Sequence, residues 1–313
     1  MTGSDIYTEY SGCIITVIAK VNTTDYLYGS GFFIRKNGYV VTAAHNCIDT
    51  KKITVLYSNA LLKARLVGID KRTDIALLKI KAENNPYLKF NEEENVKSGD
   101  KCYILGNHTD SAKCISHIGN VKFDKYLSNE VFESIVVDVN VNKGTSGSPI
   151  INSKGFVIGM INWFMDRDCS GGVTANYINK VTDLLISDDF NKAYIGLKTK
   201  KLKLQDIIHH NINMAQKNVR GEILTEDSEE TGLQKNDIIV SVNDNDVGVL
   251  DSNIESIVYL MPVGEEVIIK YYKFSPLNGM SWNTREYEKT VKLVEYPESL
   301  NKMIIGKCKI KMN

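Results

Sequence analysis

The stretch from Val137 to Pro149, VDVNVNKGTSGSP, constrains this chain more than any other segment. Apolar and polar residues alternate up to the lysine, which predicts a short β-strand with one buried face. A tight turn follows, because Gly144 can take backbone angles that a side chain would forbid. The turn predicts an oxyanion-binding site along the backbone from Gly144 through Thr145 to Ser146, with Ser146 as nucleophile. The same residues are also typical of a polar surface turn, so a catalytic interpretation requires a base and a carboxylate elsewhere in the chain.

Two upstream segments supply those partners. The first, GSGFFIRKNGYVVTAAHN, runs from Gly29 to Asn46 and predicts two apolar strands joined by a Lys-Asn-Gly turn, with His45 at the end. The second places Asp74 directly before an apolar strand, Ile75 to Ile80. A nucleophilic serine requires a base for its proton and a carboxylate that orients the base. Taken singly, a core histidine and a turn-capping aspartate would give the same pattern.

The order of these three residues is informative. His, then Asp, then Ser is the order of chymotrypsin-type double-barrel enzymes, whereas subtilisins and α/β-hydrolases use other orders. Five ordered motifs also resemble those of the HtrA/Deg serine proteases, namely GSGFFI, GYVVTAAHN, KARLVGIDKRTDIALLKI, SGDKCYILGN and VDVNVNKGTSGSP. The resemblance implies a mostly β fold, in which a chymotrypsin-like double β-barrel precedes a PDZ-like α+β domain. It also implies His45 as general base, Asp74 as its orienting carboxylate and Ser146 as nucleophile, with no cofactor.

The chain departs from the family beside the nucleophile. Thr145 stands where the family usually has Asn, and Ser148 where it usually has Gly. Thr145 is β-branched and stiff, which would alter how readily the oxyanion loop takes its active form. Two alternatives to a broad endopeptidase of unfolded proteins therefore stay open. One is a catalytically silent chaperone or peptide-binding scaffold, and the other is a processing protease of narrow specificity.

The resemblance also implies a substrate pocket. Its expected backbone-aligning residues are Asn162, Trp163 and Phe164, and its expected lining residues are Asn140, Gly172 and Thr174. No carboxylate stands at the base position, Asn140, so a preference for Lys or Arg is not expected. A small or medium aliphatic side chain before the scissile bond is the remaining expectation.

The expected domains are residues 1–189 for the protease, 190–297 for the PDZ-like unit and 298–313 for a tail. Within the second domain the segment YIGL resembles the carboxylate-binding loop of HtrA-type PDZ domains, so peptide C-termini are the expected ligands. Its residues are Tyr194, Ile195, Gly196 and Leu197. A helix from Ser252 to Leu260 would line the peptide groove. An unrelated small α/β domain with the same turns is the alternative.

Composition excludes other classes of function. The chain has 313 residues with 38 basic and 38 acidic side chains, so the clustered positive charge that nucleic-acid binding requires is not expected. It has no run of about 18 apolar residues, so no membrane span is expected. The first residues lack the features of a signal or transit peptide, which predicts an intracellular protein.

Two further expectations concern cysteines and the N-terminus. The six cysteines are expected to be reduced thiols. Cys102, His108, Cys114 and His117 lack the paired spacing of a structural zinc site, so no metal is expected. In the resembling family, aromatic residues before the first strand help to build a trimer. Tyr7 and Tyr10 are therefore candidates for a homotrimer contact, although a frayed chain end would look the same.

Overall fold

The computed structural model describes residues 1–91, 96–107, 113–128, 132–164, 168–187, 191–203, 205, 220–248, 253–275 and 281–297. These residues form two compact units, and most of the second comes from residue 191 onward. The expected domain boundary at residues 188 and 189 and the expected tail, residues 298–313, lie outside the described residues.

The N-terminus is a capped helix, α1 (Gly3–Tyr10). The Thr2 hydroxyl accepts a hydrogen bond from the Asp5 N–H, and the Asp5 carboxylate accepts one from the Thr2 N–H, so two otherwise unpaired donors are satisfied. Ile6 is fully buried. The Tyr7 hydroxyl donates to the Cys114 carbonyl oxygen at 3.1 Å. The chain end is therefore anchored to the second barrel described below.

The first barrel contains six antiparallel strands that close on themselves in the order β1-β2-β3-β6-β5-β4. They are β1 (Ile14–Lys20), β2 (Tyr26–Arg35), β3 (Tyr39–Ala43), β4 (Lys52–Tyr57), β5 (Ala60–Asp70) and β6 (Ile75–Ile80). Alternate residues point inward, so that Ile15 and Val17 of β1 pack with Val40 and Leu78 in one core. The predicted strands on both sides of the Lys-Asn-Gly turn are confirmed.

The second barrel also has six strands and closes in the order β10-β11-β12-β9-β8-β7. They are β7 (Lys101–Asn107), β8 (Cys114–Ser128), β9 (Phe132–Val137), β10 (Pro149–Asn152), β11 (Val157–Phe164) and β12 (Ser170–Thr174). Helix α2 (Ala175–Ser187) follows β12 and buries Ile178 and Val181. The two six-stranded barrels confirm the predicted chymotrypsin-like architecture.

The second unit is a small α+β structure whose main sheet has the order β14-β15-β16-β18-β19. Its elements are β13 (Ala193–Tyr194), β14 (Thr199–Lys201), β15 (Glu222–Leu224), β16 (Ile238–Val242), β17 (Asn245–Asp246), α3 (Ile254–Val258), β18 (Glu266–Ser275), β19 (Ser281–Lys292) and β20 (Val294–Glu295). Asn243 and Asp244 have positive φ angles, as a tight hairpin between β16 and β17 requires. Helix α3 is shorter than the expected helix, and Asn253 caps its N-terminus.

Candidate active site

Two neighbouring strands of the first barrel bring His45 and Asp74 together. His45 lies in a short 3-10 turn, Ala44–Asn46, directly after β3, and Asp74 directly precedes β6. The ring Nδ1 of His45 is 2.8 Å from Asp74 Oδ2. The backbone N–H of His45 donates to Asp74 Oδ1, also at 2.8 Å. Both carboxylate oxygens therefore hold the histidine, one at its ring and one at its backbone.

The turn before β6 sets the direction of the Asp74 side chain. The buried Asp70 accepts hydrogen bonds from the Arg72 N–H at 3.1 Å and the Thr73 hydroxyl at 2.6 Å. Asp74 then takes a left-handed conformation with φ 58°, which short residues such as Asp and Asn tolerate best. Its carbonyl oxygen accepts from the Ala44 N–H at 3.0 Å. The carboxylate is thus aimed at His45 by a locally fixed backbone.

The electrostatics of the pair favour a proton on His45. The Asp74 side chain is only 8 % exposed and the His45 side chain 27 %. Burial lowers the pKa of His45, but the hydrogen bond and the negative charge of Asp74 outweigh it, so the pKa is raised above 6.5. A ring that gains affinity for a proton beside a buried carboxylate can act as a general base.

The loop around Ser146 is held by its own hydrogen bonds. Gly144 and Gly147 have φ angles of 97° and 91°, so both glycines of the turn use conformations that side chains disfavour. The fully buried Thr145 donates its hydroxyl to the Asn142 carbonyl oxygen at 2.6 Å, and its carbonyl oxygen accepts from the Ser148 N–H at 2.8 Å. The β-branched residue therefore closes the turn, a contact that its sequence alone did not predict.

The backbone of Ser146 is hydrogen-bonded to Asn46, the residue that follows His45. The side-chain amide of Asn46, directly after His45, donates to the Ser146 carbonyl oxygen at 3.0 Å. Within the described residues, no hydrogen bond joins the Ser146 hydroxyl to the His45 ring. Such bonds are often long in ligand-free sites and tighten when substrate binds. The structure thus brings the backbone of Ser146 next to the residue that follows His45, whose ring is held by Asp74.

Comparisons with known proteins identify related chains. Residues 29–160 match the trypsin-like peptidase domain. A probable periplasmic serine endoprotease, DegP-like, of Chlamydia trachomatis is 29% identical over 262 residues, which is 79% of this chain and 51% of that protein. The similarly named protein of Rhizobium meliloti is 31% identical over 238 residues, 69% of this chain and 45% of its own. The chain is homologous to the DegP/HtrA serine endoproteases.

Solved structures show the same fold. The HtrA-type protease AlgW with tripeptide has a TM-score of 0.78 at 17% identity and covers 95% of this chain and 98% of its own. The serine endoprotease from Yersinia pestis has a TM-score of 0.70 at 20% identity, with 95% and 99% covered. The chain spans about half the length of the curated relatives that it matches.

One expectation is wrong in the light of these comparisons. The start of the sequence predicted an intracellular protein, but the DegP-like relatives are named periplasmic endoproteases. Among the described residues, no helix has the length and apolar run needed to cross a bilayer.

Five of the six residues expected at the substrate pocket lie on two paired strands of the second barrel, and the sixth, Asn140, lies between β9 and β10. The pairing joins Trp163 to Gly171 and Phe164 to Ser170, with an irregularity at Asn162 between β11 and β12. The Trp163 indole lies directly over Gly171, so a side chain at position 171 would overlap it. Asn162 Oδ1 and Trp163 Nε1 are buried without a hydrogen-bond partner among the described residues.

The other expected pocket residues differ in exposure. Asn140 is exposed, whereas Gly172 is buried so closely against the Met160 carbonyl group that it has no room for a side chain. Thr174 pairs with Gly159 at the far end of β12. Phe164 packs against the core of the second barrel, which includes Val139 and Val141 on both sides of Asn140. A role in substrate binding for these residues stays a prediction.

The cysteines of the described residues are free thiols. They are Cys13, Cys47, Cys102, Cys114 and Cys169. Burial and the charge of Asp74 raise the pKa of Cys47 to about 12, which favours the protonated thiol. The described part of the chain contains no group of His, Cys, Asp and Glu that could hold a metal ion. His108 lies outside the described residues.

The YIGL segment forms a tight loop after β13. Gly196 has φ 75°, the Ser228 hydroxyl donates to its carbonyl oxygen at 2.9 Å, and the Tyr194 hydroxyl donates to the Leu197 carbonyl oxygen at 2.8 Å. Ile195 and Leu197 are buried in the core of the second unit. The next strand, β14, lies at the edge of the sheet. Peptide binding at this loop stays a prediction.

Acidic side chains surround this loop. The Glu230 carboxylate lies against the α-carbon of Gly196, so that a side chain at position 196 would overlap it. Burial, together with the charges of Glu230, Glu255 and Glu226, raises the pKa of Tyr194 to about 12. A negative ligand would therefore approach Gly196 against repulsion from like charges.

Proposed function

We propose that the protein is a serine endopeptidase that hydrolyses peptide bonds through His45, Asp74 and Ser146. The observation that carries the proposal is the doubly hydrogen-bonded His45–Asp74 pair, with both contacts at 2.8 Å, beside a serine held between two glycines of positive φ. This arrangement supports an oriented base in the same part of the fold as the half-buried Ser146.

Each residue has a defined role in the reaction. His45 removes the hydroxyl proton of Ser146 as the oxygen attacks the substrate carbonyl carbon, and Asp74 stabilises the resulting imidazolium. The N–H groups of Gly144 and Ser146 bind the oxyanion, and Thr145 between them supplies the turn that aligns those groups. His45 then protonates the leaving amine, and a water molecule hydrolyses the acyl-enzyme. All of these groups are protein groups, so the chemistry requires no cofactor.

The same proposal assigns the pocket. Asn162, Trp163 and Phe164 align the substrate backbone, and Asn140, Gly172 and Thr174 line the space for the side chain before the scissile bond. The packing of Phe164 beside Val139 and Val141 supports an apolar wall in that space. The exposed Asn140 offers no charge to a Lys or Arg side chain.

The second unit, within residues 190–297, is proposed to bind peptide C-termini. Support comes from the tight loop Tyr194–Leu197 and from β14 at the sheet edge, where a peptide can add as a further strand. We further propose unfolded proteins as substrates. An extracytoplasmic site of action is proposed in line with the names of the relatives, which are called periplasmic. A homotrimer through α1 is proposed from Tyr7, which is 39 % exposed, and its neighbour Tyr10.

A covalent probe tests the activity. The purified protein is treated with a fluorophosphonate that carries a fluorophore, and labelling is expected at Ser146 and absent in Ser146→Ala. The control Ser153→Ala removes a serine outside the site. Absence of labelling, with or without a C-terminal peptide, contradicts the proposal and favours the silent scaffold. Digestion of casein, compared with cleavage of a single native protein, then separates broad from narrow proteolysis.

A further inference from the structure

Ser30 of strand β2 is fully buried and contacts the loop around Ser146 twice. Its hydroxyl donates a hydrogen bond to the Gly144 carbonyl oxygen at 2.7 Å. Its backbone N–H donates to the Ser146 carbonyl oxygen at 2.8 Å. A single residue of the first barrel thus holds the carbonyl groups on both sides of Thr145, which belongs to the second barrel.

The remaining polar groups of Ser30 are also engaged. The Asn107 N–H donates to Ser30 Oγ at 2.8 Å, and the Thr42 hydroxyl donates to the Ser30 carbonyl oxygen at 2.7 Å. Rotation of the Ser30 hydroxyl would leave the part-buried Gly144 carbonyl oxygen without this hydrogen bond, which is unfavourable. The hydroxyl is therefore fixed in the orientation that holds Gly144.

These contacts reach the oxyanion-binding amides through rigid peptide planes. The Gly144 carbonyl shares a plane with the Thr145 N–H, and the Ser146 carbonyl shares one with the Gly147 N–H. The plane between them carries the Ser146 N–H. Its own carbonyl, that of Thr145, accepts from the Ser148 N–H at 2.8 Å, so the Ser146 N–H points in the opposite direction, away from Ser148. Ser30 thus fixes the planes on both sides of this amide.

The close approach of Ser30 to the loop depends on Gly147. A side chain at position 147 would overlap the Ser30 carbonyl oxygen and would lie 2.6 Å from the Thr42 hydroxyl. The Gly147 N–H donates to the Ile161 carbonyl oxygen at 2.7 Å. The loop is therefore clamped between β2 of the first barrel and β11 of the second.

We propose that Ser30 is a positioning residue that sets the direction of the oxyanion-binding amide of Ser146 and fixes the peptide plane that follows the amide of Gly144. This inference rests on the proposed serine endopeptidase activity and deepens it. Ser30 does not contact the reacting atoms, and it acts through the Gly144 carbonyl group. Without its hydroxyl, the chain from Gly144 to Ser146 can rotate away from the orientation that stabilises an oxyanion.

Labelling kinetics provide the test. The variants are Ser30→Ala and Ser30→Cys, which retains the volume but is a weak donor. The matched control is Thr182→Val in α2, because Thr182 is 1% exposed and donates its hydroxyl to the Ile178 carbonyl oxygen at 2.8 Å. For Ser30→Ala we expect the maximal rate of fluorophosphonate labelling to fall about ten- to hundredfold, with the half-saturating concentration unchanged. The maximal labelling rate of Ser30→Cys should lie between those of Ser30→Ala and wild type.

Hydrogen exchange of the amides in residues 142–148 gives a readout that does not depend on activity. Exchange should accelerate in Ser30→Ala and Ser30→Cys and stay at the wild-type rate in Thr182→Val. Wild-type labelling in both Ser30 variants, equal losses in Thr182→Val, or unchanged exchange overturns the proposal. If wild type itself is not labelled, the endopeptidase assignment fails, while the exchange comparison still decides whether Ser30 holds the loop. If Ser30→Ala does not fold, Ser30→Cys carries both comparisons.

Discussion

The side-chain amide of Asn46 donates to the backbone carbonyl oxygen of Ser146 at 3.0 Å. The same amide donates to the Thr42 hydroxyl at 3.1 Å. Since Asn46 directly follows His45, these contacts connect the candidate base to the candidate nucleophile through the backbone. The relative position of His45 and Ser146 thus depends on a buried amide as well as on packing between the barrels.

Replacement of that amide should lower both stability and activity. Asn46→Leu removes one of the two hydrogen bonds to the Ser146 carbonyl oxygen and the hydrogen bond to the Thr42 hydroxyl, so we expect a loss of about 1–3 kcal/mol in the free energy of unfolding. The labelling rate should fall about tenfold or more, because small displacements of reacting groups are costly. Urea unfolding and probe labelling measure the two effects.

The control for this variant is Asn85→Leu. Asn85 is also buried, at 7% exposed, and donates its amide to the Lys36 carbonyl oxygen at 3.2 Å, away from the site. It should lose similar stability and keep the labelling rate. Equal losses of labelling in both variants would show that Asn46 has no specific role at the site.

The pH profile of the reaction should report the pKa of His45. Asp74 raises this pKa above 6.5, so kcat/KM for a peptide substrate should fall as the pH drops through a value above 6.5. Asp74→Asn removes the negative charge and should shift this acidic limb to lower pH, with a loss of activity of about four orders of magnitude. A profile with the same midpoint in both proteins would contradict the assigned pair.

The raised pKa of His45 also predicts that the stabilisation from the His45–Asp74 pair decreases as the pH rises, whereas activity increases. The folded protein binds a proton at His45 more tightly than the unfolded chain does, so the contribution of the pair is fully present below about pH 6.5 and is lost as the pH rises through the folded pKa. Urea unfolding of wild type and Asp74→Asn over this range should give a difference in free energy that shrinks with rising pH. A difference that grows with pH would contradict the raised pKa.

Two glycines of similar φ allow the cost of a strained backbone to be separated from the cost of steric overlap when each is replaced by alanine. Gly147 has φ 91° and lies against the Ser30 carbonyl group, whereas Gly99 has φ 95° and open space around it. Gly99→Ala should cost only the left-handed conformation, about 1–2 kcal/mol. Gly147→Ala should cost more than about 4 kcal/mol because the backbone must also move. Thermal and urea unfolding give the comparison, and equal losses would exclude the close contact with Ser30.

The acidic side chain beside Gly196 should weaken the binding of peptide carboxylates. Glu230→Gln removes one like charge, so a peptide with a free C-terminus should bind about threefold more tightly at low salt, with a smaller gain at high salt. Fluorescence anisotropy of a labelled peptide measures this effect. The control is Glu229→Gln, an exposed neighbour, with the amidated peptide as second ligand. An equal gain for the amidated peptide would show that Glu230 does not face the carboxylate.

The sequence predicted the main strands and the three candidate catalytic residues because their signals are local. A Lys-Asn-Gly turn joins β2 and β3, and Asp74 directly precedes β6, so turn chemistry and alternation sufficed. The helix α1 was missed, although Thr2 and Asp5 form a capping box that is visible in the sequence. A polar lead at a chain end is easily taken for a frayed terminus.

Other features depend on contacts that no local pattern encodes. Ser30 and Asn46 are polar residues in apolar surroundings, which is the one signal that could have marked them. Their partners, however, lie 114 residues away at Gly144 and 100 residues away at Ser146. Likewise, the indole of Trp163 over Gly171 follows from the register of β11 and β12. Only the three-dimensional pairing of strands reveals these relationships.

The left-handed backbone of Asp74 narrows the amino acids that position 74 can accept. The turn that begins at Asp70 requires a residue at ease with φ 58°, which favours aspartate and asparagine among side chains. The imidazole independently requires a short acceptor at the same place. A single side chain at position 74 therefore has to meet one conformational and one chemical requirement. An Asp74→Ala variant would alter the backbone as well as remove the charge, so it would not isolate the effect of the charge.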